Sequence, residues 1–80
     1  MVIKERKLKG TFEIEFEPKH DERGFFMRTA DNNIFEQYGI PTVWVEESES
    51  FSREKGTVRG LHFQHPPHSE GKLIRVSSGK

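Results

Sequence analysis

Residues 12–17 read Phe-Glu-Ile-Glu-Phe-Glu, and this two-residue period constrains the fold more than any other feature of the chain. Successive side chains of an extended strand point to opposite faces. Phe12, Ile14 and Phe16 therefore share one face, and Glu13, Glu15 and Glu17 share the other. The pattern predicts a half-buried strand with an acidic outer face, closed by Pro18.

The rest of the chain reads as further strands around one helix. "KHDERG" is expected to be a polar turn and "GFFMRTA" a second strand. "DNNIFEQYG" predicts a short helix: Asp31 or Asn32 caps it, Ile34, Phe35 and Tyr38 face inward, and Gly39 ends it. Pro41 forbids continuation. "PTVWVEES", "TVRGLHFQ" and "KLIRV" read as strands, with "SREKG" as a turn and "HPPHSEG" as a loop. One helix among five or six strands predicts a mainly β domain, a sandwich or barrel.

Apolar residues are 31% of the 80-residue chain and charged residues 32%. That allows one small domain with a thin core. An aromatic content of 11%, mostly Phe, argues against disorder. Formal charge is zero, so there is no basic excess to track a nucleic-acid backbone. Without cysteine there are no disulfides, thiolate metal sites or cysteine nucleophiles. "MVIKERKLKG" lacks the apolar stretch of a secretory signal, and no run reaches membrane-spanning length. The expectation is a soluble cytoplasmic protein. "KLIRV" leads into a Ser77-Ser78-Gly79 turn that would normally enter another strand. The 80 residues are therefore expected to be the N-terminal part of a larger domain, or to complete a sheet with another subunit.

The residues suited to chemistry lie in "RGLHFQHPPHSEGKLIRV", residues 59–76. By alternation His62 shares a face with Val58, Gly60 and Gln64, and Gly60 leaves open space beside it. An imidazole suits proton transfer near neutrality; the alternative is a structural histidine bonded to a neighbour. Lys72 shares a face with Ile74 and Val76, where an ammonium is uncommon. It either reaches water at the strand end or provides a fixed positive charge near His62. A base beside a cation is the requirement for removing a proton alpha to a carbonyl, with the cation stabilising the enolate oxygen.

Arg59 and Arg23 are candidates for phosphate contacts, since guanidinium binds phosphate oxygens in a bidentate manner; the alternative is a surface ion pair. Strict alternation puts Arg59 and His62 on opposite faces, so a shared site needs a bulge or twist near Gly60, or Arg59 serves a site at a subunit boundary. The histidines at 62, 65 and 68 invite a metal reading. It is the weaker one, because two prolines intervene and strand parity changes across the set. His65 and His68 are better placed in a loop. There is no nucleophile elbow and no Gly-rich phosphate loop.

Taken together, "DERGFF", "GTVRGLHFQ" and "EGKLIRV", with "FEQYGIP" between them, resemble the dTDP-4-dehydrorhamnose 3,5-epimerase family from about Thr11 to Gly79. The resemblance implies a cupin-type double-stranded β-helix, or jelly roll, incomplete in these 80 residues and carrying one short helix. It implies a homodimer that exchanges N-terminal strands, no metal or organic cofactor, and a dTDP-4-keto sugar nucleotide as substrate. The implied reaction removes protons at C3 and C5 and returns them to the other face, on the route to L-rhamnose for cell-surface polysaccharide. His62 matches the family's general base and Lys72 the lysine near the keto oxygen. Arg59 and Arg23 match arginines of the phosphates or substrate pocket, and Phe26 an aromatic at the pocket edge.

Four positions depart from the family pattern. Glu46 and Ser48 stand where Gln and Asn are usual, with Ser50 keeping the family serine. Arg28 stands where Glu is usual, and Glu70 where Gln is usual. Glu46, Ser48 and Arg28 are thus substrate-side candidates with altered charge or polarity. They leave open a related 3- or 5-epimerase or ketoisomerase on another dTDP-4-keto sugar. Family members are roughly twice this length, within the usual range of one domain. The resemblance places a Tyr acid and a His-orienting Asp beyond these residues. A catalytically inert fragment or a sugar-nucleotide-binding domain therefore also stays open, and the 80 residues alone are expected not to turn over.

Overall fold

The computed structural model describes residues 1–79. It divides into two compact units, Met1–Trp44 and Val45–Lys80. Among the described residues, all regular secondary structure lies in the first.

Two antiparallel hairpins and one helix build the first unit. Strand β1 (Val2–Glu5) pairs with β2 (Phe12–Glu15), with Ile3 opposite Ile14 and Glu5 opposite Phe12. The connecting turn is closed by Arg6 N–H on the Thr11 carbonyl (2.8 Å) and Thr11 N–H on the Leu8 carbonyl (3.0 Å). The predicted alternation holds along β2. Phe12 and Ile14 are half-buried, and Glu13 and Glu15 are exposed. β1 supplies the cations that balance this acidic face: Lys4 Nζ donates to Glu15 Oε1 at 2.7 Å, and Arg6 lies 3.7 Å from Glu13. The Glu15 carboxylate holds the Lys4 ammonium above its usual range, and Lys4 holds the Glu15 carboxyl below its own.

Strand β3 (Lys19–Asp21) pairs with β4 (Gly24–Phe26) across a tight turn at Glu22 and Arg23. Asp21 makes the turn: its Oδ1 accepts the Arg23 main-chain N–H (2.8 Å) and its Oδ2 accepts the Arg23 guanidinium (2.8 Å). An Asp that bonds the backbone two residues on is a common device for such corners.

Helix α1 (Asn32–Gln37) starts at Asp31, whose Oδ1 accepts the amides of Asn33 (3.0 Å) and Ile34 (3.3 Å). It ends at Tyr38, after which Gly39 takes φ +71°, the left-handed conformation that glycine adopts without strain. Phe35 is the most buried side chain, at 1% exposure, and the Tyr38 ring meets Phe12 edge-on at 6.2 Å. Ile3 and Phe35 are the only buried apolar residues among those described, so the core is as thin as composition implied.

Several expectations need correction. "KHDERG" is not only a turn; its first half is β3. "GFFMRTA" is strand only at Gly24–Phe26. The N-terminal segment, not read as a strand, forms β1. "PTVWVEES", "TVRGLHFQ" and "KLIRV" enter no ladder among the described residues. The sheets are two separate two-stranded hairpins, and no jelly roll is formed by the described residues. The physical reason is that alternation suits a segment for a sheet without supplying its partner. Val58 (90% exposed), Leu61 (99%) and Ile74 (79%) carry the pattern, yet their backbones have no strand to pair with.

Candidate active site

The two residues expected to do the chemistry meet in the second unit. Lys72 Nζ donates to the main-chain carbonyl oxygen of His62 at 2.9 Å. The loop between them is compact: His68 N–H bonds the His65 carbonyl (2.9 Å), folding the "HPPH" corner back on itself. The contact is with the His62 backbone, which leaves the imidazole out of the lysine's hydrogen bond. Glu70 Oε1 lies 3.5 Å from the same Nζ, so the ammonium has both a carbonyl oxygen and a carboxylate as neighbours. Both side chains are a little under half exposed.

Arg59 is placed by the neighbouring loop. Its NH1 donates to Ser50 Oγ and its NH2 to the Phe51 carbonyl (2.8 Å). A planar guanidinium can bridge two acceptors in this way. Gly60 follows with φ +113°, outside the extended region, so strict alternation is broken between Arg59 and His62. Glu46 and Ser48 lie exposed in the irregular stretch that leads to Ser50.

The other candidates belong to the first unit. Arg23 projects from the β3–β4 turn, 87% exposed, with its guanidinium on Asp21. Phe26, at the end of β4, and Arg28 line one shallow cleft of about 250 Å³ together with Glu17, Lys19, Asp31 and Ile34. Arg28 NH1 stands 3.8 Å from Asp31 Oδ2, so the residue that caps the helix also anchors this arginine.

The sequence reading did not single out Glu17, Lys19 or Asp31 as lining this cleft, nor Phe51 as a partner of Arg59. Phe51 acts through its carbonyl, which no side-chain pattern can signal. His65 packs edge-on against Phe63 at 5.1 Å. Among the described residues no three His, Cys, Asp or Glu side chains converge as a metal site would require. No helix among them is long and apolar enough to cross a membrane.

Comparison with known proteins gives a consistent result. Residues 5–80 match the family described as dTDP-4-dehydrorhamnose 3,5-epimerase. The chain is 44% identical over 73 residues to the dTDP-4-dehydrorhamnose 3,5-epimerase of Methanothermobacter thermautotrophicus, covering 91% of this chain and 38% of that protein. It is 44% identical over 68 residues to the Shigella flexneri enzyme of the same name, covering 81% and 37%. With the Pseudomonas aeruginosa enzyme the identity is 39% over 70 residues, covering 84% and 38%. The chain thus spans less than two fifths of the length of the curated relatives it matches. No solved structure matches it significantly.

Proposed function

Because the chain belongs to the dTDP-4-dehydrorhamnose 3,5-epimerase family, we propose that it carries the base and the cation of an epimerase acting on a dTDP-4-keto-6-deoxy-hexose. The neutral His62 imidazole removes the proton at C3 or C5, alpha to the C4 keto group. The C–H electron pair moves into the ring and onto O4, giving an enolate. The Lys72 ammonium meets that oxygen and stabilises the charge as it develops. Return of a proton to the opposite face inverts the carbon, and the enolate collapses to the ketone. The net reaction is redox-neutral, and every step is a proton transfer, so the reading requires no metal or organic cofactor.

The single observation that carries this reading is the 2.9 Å bond from Lys72 Nζ to the His62 carbonyl. It ties the cation to the residue that presents the base. Arg59 and Arg23 are assigned to the phosphates of the nucleotide, and Phe26, Arg28, Glu46 and Ser48 to the sugar or base side of the pocket. The complete protein is proposed to be a cytoplasmic cupin-type homodimer that exchanges N-terminal strands, serving dTDP-L-rhamnose synthesis.

A second reading rests on the coverage of the relatives, at 38% and 37% of their length. On that reading the 80 residues are an inert, sugar-nucleotide-binding part. Incubating the whole protein that carries this sequence with dTDP-4-keto-6-deoxyglucose and analysing the products separates the alternatives. Inversion at C3 and C5 supports the proposal. Inversion at one carbon gives the related 3- or 5-epimerase, and movement of the keto group gives a ketoisomerase. Unchanged substrate with retained binding gives the inert reading.

A further inference from the structure

Arg59 differs from Arg6, Arg23 and Arg28 in what holds it. Arg6 faces Glu13, Arg23 faces Asp21 and Arg28 faces Asp31, so a carboxylate stands beside each of those guanidinium charges. Arg59 is held by two neutral oxygens instead: NH1 donates to Ser50 Oγ and NH2 to the Phe51 carbonyl at 2.8 Å. Among the described residues no carboxylate is paired with it. Bonds at both terminal nitrogens fix the plane and direction of a guanidinium, and its other N–H groups are left for a ligand oxygen. A carboxylate in place of Ser50 would orient the group too, but it would cancel the charge and compete with an incoming phosphate. A hydroxyl orients without neutralising. The side-chain ordering that phosphate binding requires is then already in place before the ligand arrives.

We propose that Ser50 is a positioning residue: its hydroxyl, together with the Phe51 carbonyl, presents the Arg59 guanidinium to a nucleotide phosphate with its charge left free. The Phe51 contact is made by the backbone, so Ser50 is the side chain on which this orientation depends. Ser50 acts through Arg59, and the inference rests on the assignment of Arg59 to the phosphates.

Titration of dTDP into the whole protein that carries this sequence, at low ionic strength, tests the two layers separately. Arg59→Ala is expected to weaken binding at least roughly tenfold. Ser50→Ala is expected to weaken it roughly three- to tenfold, and Ser50→Thr, which keeps the hydroxyl, to stay within about twofold of the parent. In the Arg59→Ala background, Ser50→Ala should have no further effect, because an orienting contact cannot act without the group it orients. Full affinity in Ser50→Ala, an equal loss in both backgrounds, or a Ser50→Thr loss as large as that of Ser50→Ala overturns the positioning role, and the phosphate assignment stands as long as Arg59→Ala weakens binding. Unchanged binding in Arg59→Ala, or no binding by the parent, overturns the phosphate assignment and the inference with it.

Discussion

The Lys72 ammonium donates to the His62 carbonyl oxygen at 2.9 Å, joining two residues ten positions apart across the "HPPH" corner. A cation held on the backbone of the proposed base does not have to be recruited when charge develops on substrate. If it meets the enolate oxygen, Lys72→Ala in the active protein lowers kcat by roughly 100- to 1000-fold. KM changes much less, because a neutral ketone gains little from the ammonium in the ground state. Steady-state kinetics on the 4-keto sugar nucleotide read this split. A rise in KM with kcat intact would instead make Lys72 a simple binding residue.

Arg59 bridges Ser50 Oγ and the Phe51 carbonyl. Lysine keeps the charge but lacks the planar fork that directs NH1 and NH2 to the two acceptors. Arg59→Lys is therefore expected to free the segment around Ser50, at a local cost of about 0.5–1.5 kcal/mol for each lost bond. Amide hydrogen exchange at residues 50–52 should accelerate, while exchange in β1 and β2 stays as in the parent.

The β3–β4 turn should weaken in acid. Hydrogen bonds from the Arg23 guanidinium, then from its main-chain N–H, hold the Asp21 carboxyl below its usual range. Between the lowered folded value and the ordinary one of 3.8, the unfolded turn binds more protons than the folded one. The contribution is thus fully present above that ordinary value and is lost as pH falls through the folded one. NMR signals of Phe25 and Gly24 followed downward from pH 5 should report the loss. Asp21→Asn should remove this pH dependence.

Phe35 is the side chain on which the first unit depends. It is 1% exposed, and the core around it is thin. Phe35→Ala is expected to cost about 3–5 kcal/mol, enough to melt α1 in a domain with little stability to spare. Circular dichroism of the variant should lose the helical signal. Asp31→Ala, which removes only the cap, should cost about 1 kcal/mol and leave a shorter-lived helix.

What could be read from the sequence followed from local physics. β2 was legible because Phe12, Ile14 and Phe16 alternate with glutamates. The helix was legible because Asp31 can cap it, Gly39 can end it and Pro41 stops it. β1 was missed because Val2 and Ile3 are followed by charges, which leaves too short an apolar signal. β3 was missed because Lys19, His20 and Asp21 look like turn residues and owe their pairing to β4. The segments around Val58 and Ile74 were read as strands from pattern alone, and pattern names a face without naming a partner.

The site divides in the same way. The nearness of Lys72 to His62 followed from a short loop, but its 3.5 Å approach to Glu70 was not part of that reading. The Arg59 bridge did not follow, because Ser50 and Phe51 are eight or nine residues away and one acceptor is a backbone carbonyl. The cleft that gathers Phe26 and Arg28 with Glu17 and Lys19 depends on hairpin register, which no single segment encodes.

The 80 residues taken by themselves should not complete an inversion. These residues carry the proposed base and cation, and inversion also needs a proton donor on the opposite sugar face. Product analysis with the isolated polypeptide should return the starting configuration at both carbons, whereas formation of the inverted sugar would mean that these residues contain the acid as well.

The most direct test of the central claim is solvent deuterium uptake at C3 and C5 of dTDP-4-keto-6-deoxyglucose, catalysed by the active protein that carries this sequence and by its His62→Ala variant. Uptake reads proton removal alone and does not depend on which face is reprotonated. With His62 as the base, the parent incorporates deuterium and the variant loses at least roughly 100-fold in rate. A variant that exchanges within a few-fold of the parent would contradict the assignment of His62 as the base.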